Sequence, residues 1–153
     1  MTIQIDRIAD APMQRVIGLN GTFTADTRSE IPALWAEWDW QAVTGVVGDH
    51  VYGISHGFGP GRFDYLCGLP VSAVAPVPDK QIEVTLPAGP HAVFVHDGHV
   101  SGIASIFDAV LCNNALGPGW VMARGPQFEV YGEGFDPATA TGRVEIWFPV
   151  EAA

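Results

Sequence analysis

The chain has 153 residues, 48% of them hydrophobic and 16% charged, which suits one globular domain with a real core and argues against disorder. Seven basic residues against seventeen acidic ones leave a net charge of −10. The cations are scattered, so phosphate backbones are repelled and nucleic acid is excluded as a partner, whereas a basic protein partner stays open.

The N-terminus, M-T-I-Q-I-D-R-I-A-D, lacks the basic start and apolar run of a signal peptide, and no apolar run reaches membrane-spanning length. A cytoplasmic protein without membrane contact is expected. In chain order, R-V-I-G-L-N-G-T-F (15–23) reads as a strand and turn, and S-E-I-P-A-L-W-A-E-W (29–38) as a helix. Its apolar residues Ile31, Leu34, Trp35 and Trp38 recur at helical spacing, Pro32 falls in the first turn, and Ser29 stands where an N-cap would. V-Y-G-I-S-H-G-F and F-D-Y-L-C-G-L-P-V follow as two strands, and the proline-rich stretch 71–81 ends the first half.

The second half repeats the first. A-V-F-V-H-D-G-H-V (92–100) leads into S-G-I-A-S-I-F-D-A-V (101–110), which aligns without gaps on residues 29–38. Ile103, Ile106, Phe107 and Val110 take the places of Ile31, Leu34, Trp35 and Trp38, and Ser101 that of Ser29. F-E-V-Y-G-E-G-F and R-V-E-I-W-F-P-V close the chain as two more strands. The expected architecture is α+β: two pseudo-symmetric β-α-β-β modules, about 1–74 and about 80–153, packed as a single domain over 1–153. Cys67 and Cys112 lack metal-ligand spacing and read as reduced, buried thiols.

Several motifs dissolve on inspection. G-I-S-H-G (53–57) has the letters of a nucleophile elbow around Ser55, but G-F-G-P-G-R follows where a helix is required. The same stretch lacks the lysine and helix of a phosphate loop. In H-D-G-H, His96 and His99 point to opposite sides of a strand and Gly98 marks a turn, so no metal is expected; no cofactor is expected either. Glu145 draws more interest. Val144, Ile146 and Phe148 share one strand face, and Glu145 and Trp147 share the other. A carboxylate leaving water beside an aromatic ring needs a compensating charge, supplied by a ligand or internally by Arg143.

The two-repeat plan, P-A-G-P-H-A-V-F-V-H-D-G, F-E-V-Y-G-E-G-F-D-P and V-E-I-W-F-P-V together closely resemble the GyrI-like small-molecule-binding domain. That domain also forms the C-terminal effector-binding half of many AraC-type transcription regulators. The resemblance implies an aromatic-lined cleft between the modules that takes amphipathic, often cationic, compounds. It sets the family's central acid on Glu145 and its first-module tyrosine on Tyr65, with Leu66 where an acid is common. The expected ligand-binding set is Glu145, Trp147, Tyr65, Trp35, Trp38, Phe107 and Tyr131. No helix-turn-helix half is evident, so a stand-alone member is expected. Such members include small-molecule sensors, gyrase-interacting proteins and hydrolases that open cyclopropanoid compounds. A binding protein for cationic aromatic compounds is the first expectation. A hydrolase using Glu145 and Tyr65 is the second, although repeat alignment matches Tyr65 to Val144 rather than to Glu145. A gyrase-inhibitor-like protein is the third, and the oligomeric state stays open.

Overall fold

The computed structural model describes residues 3–112 and 115–153. Its elements are β1 (Arg7–Ala11), β2 (Gln14–Phe23), α1 (Ile31–Glu37), β3 (Val51–Gly59), β4 (Arg62–Val71), β5 (Ile82–Leu86), β6 (Gly89–His99), α2 (Ile103–Cys112), β7 (Trp120–Met122), β8 (Gln127–Asp136) and β9 (Thr141–Ala152). The expected α+β architecture is present: an antiparallel sheet with two helices. Each half carries one strand more than sequence periodicity indicated, β1 in the first and β5 in the second, and β7 adds to the end of β9.

Those extra strands organise the molecule. The strand order is β1-β6-β9-β8-β3-β4-β2-β5, and it is unchanged when the first half is exchanged for the second. β1 pairs with β6 from Arg7↔Val93 to Ala11↔Gly89, and β2 pairs with β5 from Gln14↔Leu86 to Gly18↔Ile82. The register runs on unbroken between the two ladders, across Pro12-Met13 on one side and Pro87-Ala88 on the other. Proline has no N–H for a ladder, which is why each long strand breaks and bends there. Because β2 also pairs with β4 and β6 with β9, the sheet curls until its two ends meet.

The curled sheet has an inner and an outer face. Val16, Ile54, Leu66, Val84, Leu86 and Phe128 fill the inside. Both helices lie outside. α2 seats Ile103, Ile106 and Val110 on Ala92, Phe94, Val144, Ile146 and Phe148. α1 is shorter and buries none of its own residues fully; its Ile31, Leu34 and Trp35 lean on Phe23, Trp38, Tyr65 and Cys67. Trp38 caps its C-terminus in extended conformation rather than continuing the helix.

Two local expectations are corrected. Neither serine caps its helix, because a 3₁₀ turn precedes each one: Ser29 lies within Arg28–Glu30 and Ser101 within Val100–Gly102. The second turn is capped instead by His99, whose Nδ1 accepts from the Ser101 N–H at 3.1 Å, while His96 Nε2 meets the His99 carbonyl at 2.7 Å. The H-D-G-H stretch is therefore a capping device. Cys67 is buried as expected, but Cys112 is exposed, since the last turn of α2 points it to solvent.

The unequal seating of the helices is measurable. Ile106→Ala should cost roughly 2–5 kcal/mol, the usual range for a buried large-to-small change. Leu34→Ala, at a half-buried position of α1, should cost clearly less. Urea unfolding of both variants, compared through their midpoints at constant slope, checks the difference.

Candidate ligand-binding site

β3 and β8 meet where the two halves join in the sheet, with Gly53 opposite Glu129 and Val51 opposite Tyr131. Side chains of directly paired residues share a face. Glu129 is also opposite Ile146, which lies under α2, and Gly53 is opposite Cys67, which lies under α1. Glu129 thus stands on the outer face at the seam between the regions covered by the two helices.

Its surroundings are unusual for a carboxylate. Glu129 is 8% exposed and takes part in no ion pair among the described residues. Tyr65 donates its hydroxyl to Oε1 at 3.0 Å, and Tyr131 donates to the same oxygen. Burial pushes the Glu129 carboxyl above its ordinary range, and donation from Tyr131 and Tyr65 opposes this only in part. Hydrogen bonds to a charged group contribute about 1.5–3 kcal/mol each, whereas desolvating an ion costs several kcal/mol. The two contributions are of similar size, and burial keeps the upper hand at Glu129. Burial and the nearby carboxylate in turn raise both phenols and the Cys67 thiol.

A missing side chain makes this meeting possible. A Cβ at position 53 would lie 2.1 Å from the Tyr65 hydroxyl and 3.1 Å from Glu129 Oε1, so glycine is required for the phenol to reach the acid. Aromatic rings complete the enclosure. Trp35 from α1 stands edge-on to Tyr131 at 5.6 Å, to Trp38 at 5.9 Å and to Tyr65 at 6.4 Å. Tyr131 meets Phe135 at 4.8 Å. Phe107 packs on Phe148 at 5.2 Å, within the cluster under α2 against which Tyr131 also leans.

The residues singled out from sequence thus divide between two faces. Tyr65, Tyr131, Trp35 and Trp38 come together on the outer face, and Phe107 belongs to the neighbouring cluster on that face. Glu145 and Trp147 lie on the inner one, so Glu145 and Tyr65 do not share a site. Glu145 accepts from Arg7 at 3.2 Å through both oxygens, from Arg143 at 3.1 Å and from the Trp147 indole at 3.1 Å. Burial works to raise its carboxyl, but these donors outweigh it and hold the group below its ordinary value. Arg7 also lies 5.5 Å from the Trp147 ring centre, and Trp147 stacks on Phe128. A cavity of about 150 Å³ opens beside them, between Gln14, Tyr52 and Val130.

Glu129 escaped sequence reading although it sits in the quoted run F-E-V-Y-G-E-G-F. The signal was present: an acid between Phe128 and Val130, sharing parity with Tyr131.

The two acids predict opposite stability effects. Below the unfolded pKa of Glu129, both folded and unfolded chains hold its proton. As pH rises from there through the higher folded value, only the folded chain keeps it, so stability falls. Glu129→Gln should therefore unfold at a higher temperature than wild type near neutral pH, with the gap closing in acid. Glu145→Gln should unfold at a lower temperature near neutral pH, and its deficit should fade as pH falls through the depressed folded value. Thermal melts of both variants across pH check the two signs.

Comparison with known proteins agrees with this fold. The family model of the GyrI-like small molecule binding domain matches residues 7–151, and the chain belongs to that family. It is 28% identical to the transcriptional regulator BrlR of Pseudomonas aeruginosa over 151 residues, covering 94% of this chain and 54% of the regulator. The chain therefore spans about half the length of that curated relative. SAV2435, solved bound to tetraphenylphosphonium, superposes with a TM-score of 0.71 at 18% identity, over 95% of this chain and 93% of that one. The EcmrR C-terminal domain superposes with a TM-score of 0.70 at 17% identity over the whole of both chains. At these identities the likeness is one of fold.

Proposed function

We propose that this GyrI-like domain binds bulky lipophilic aromatic cations on the outer face, with Glu129 as their counter-charge. The observation that carries the reading is a buried carboxylate with hydrogen-bond donors and aromatic rings around it but no cation among the described residues. A cationic ligand supplies the one component the site lacks, and each cation–π contact with Tyr65 or Tyr131 adds about 0.5–2 kcal/mol. The tetraphenylphosphonium held by SAV2435 is a ligand of this chemical class.

Trp35 now occupies the ground above the two tyrosines, so entry requires α1 to yield. Its seating favours that: α1 has seven residues, none of them buried. Elements with few buried contacts are the ones that open at low cost. Glu145, by contrast, is left out of ligand binding in this reading, because Arg7 and Arg143 already answer its charge.

A second reading, water addition to reactive cyclopropanoid compounds, draws on the same place. A carboxyl raised by burial and hydrogen-bonded to a phenol has the makings of a general base beside a proton donor. Product analysis after incubation with such a compound separates the two, since binding alone returns it unchanged.

The first test is thermal unfolding with tetraphenylphosphonium and a neutral tetraaryl isostere. At a hundred times its dissociation constant a ligand stabilises by about 2.7 kcal/mol. At roughly 2–4 °C per kcal/mol for a domain of this size, the cation should raise the midpoint by about 5–11 °C. The isostere should do much less, and Glu129→Gln should remove most of the difference while Glu145→Gln retains it. Equal shifts for cation and isostere would defeat the charge-based reading.

A further inference from the structure

The two phenols at Glu129 donate to a single oxygen, Oε1, and no side-chain donor reaches Oε2 among the described residues. An ionised carboxylate with two equivalent oxygens would gain by taking one donor on each. Both bonds fall on Oε1, which leaves Oε2 without a side-chain donor among the described residues and open to carry a proton. Among the described residues, the groups facing Glu129 supply no alternative charge. β4 brings Tyr65 and Cys67, β8 brings Tyr131, β3 brings Gly53 and Ser55, β9 brings Ile146 and α1 brings Trp35. The phenols and the thiol are all pushed up by burial and by the nearby acid, so none of them ionises near neutral pH.

We propose that the site works by exchange: empty, it holds Glu129 as a neutral acid with the proton on Oε2, and an entering lipophilic cation displaces that proton to solvent. The proposal rests on the cation-binding reading above and adds its regulation by pH. One positive charge enters as one leaves, so the desolvated seam never holds a net charge in either state. Burial acts in the same direction, raising the Glu129 carboxyl. Selectivity then follows from pH. A permanent cation competes with the proton and binds more weakly in acid, by up to tenfold per pH unit below the Glu129 pKa. A neutral aromatic compound releases no proton and gains relative to the cation as pH falls.

The test is calorimetric titration of tetraphenylphosphonium into the full chain from about pH 5 to pH 8, in paired buffers of different ionisation enthalpy. The phosphonium does not titrate, so every proton released comes from the protein. Release approaching one proton per cation at the acid end, shrinking toward the alkaline end as apparent affinity rises and levels, is the expected result. Glu129→Gln should show no release and an affinity independent of pH. Wild-type binding without proton release and with constant affinity over the range would overturn the exchange and leave the cation site standing. Absence of both heat and thermal shift at every pH would instead remove the cation-binding reading, and the exchange with it. Should Glu129→Gln fail to fold, the wild-type buffer pairs decide the matter alone.

Discussion

The unbroken register between the chain's two bent strands is the constraint on which the rest depends. β1 and β2 run against β6 and β5 as one antiparallel pair, and each half thereby gives an edge strand to the other. Open edges with unpaired N–H and C=O groups are a hazard for any sheet. Here the curl removes most of them, and it presses β3 and β8 together on the far side of the molecule. At that seam the outer faces of the two halves adjoin between the regions covered by α1 and α2. A polar residue placed there is buried by its neighbours.

Two acids show what the curl does to charge. Glu129 and Glu145 both sit inside apolar strands, on β8 and β9, and both have lost much of their water. Glu145 faces inward, where β1 crosses from the other half and delivers Arg7 across 138 residues of sequence. Arg143 joins it from its own strand, so two guanidiniums serve one carboxylate. Glu129 faces outward, where the near residues are Tyr65, Tyr131, Trp35 and Ile146 and the closest donors are neutral. Burial acts on both carboxyls in the same direction. What separates them is whether a cation is supplied by the fold, as Arg7 and Arg143 are to Glu145.

Much of this was legible in the sequence. The helical stripe at Ile103, Ile106 and Val110 is the buried face of α2, and strand alternation correctly put Val144, Ile146 and Phe148 together in the core. Alternation also set Glu145 and Trp147 on one face, as observed. It states which residues share a face, however, not which face the helices cover. That follows from the curl, and the curl follows from β1 and β5, whose short runs R-I-A-D-A and I-E-V-T-L are broken from their continuations by proline and carry little pattern of their own. Arg7 as the partner of Glu145 was out of reach for the same reason. Glu129 was hidden differently. Its environment is made by a residue with no side chain, Gly53, and a vacancy that admits the Tyr65 hydroxyl leaves no trace in hydrophobic periodicity.

The position of Trp35 bears on where ligand affinity would come from in the proposed function. An indole already stands edge-on to both tyrosines that flank Glu129. An aromatic ligand that displaced it would exchange one set of ring contacts, about 0.5–1.5 kcal/mol a pair, for another of similar worth. Apolar burial by the ligand is offset in part by re-exposure of Trp35. Little net gain is left for a neutral compound, whatever its area. A cation differs, because it takes the place of the Glu129 proton and pairs with the carboxylate so formed, and Coulomb attraction grows as the effective dielectric falls. Under that proposal the aromatic walls set the size and shape of what is admitted, while the charge sets whether it stays.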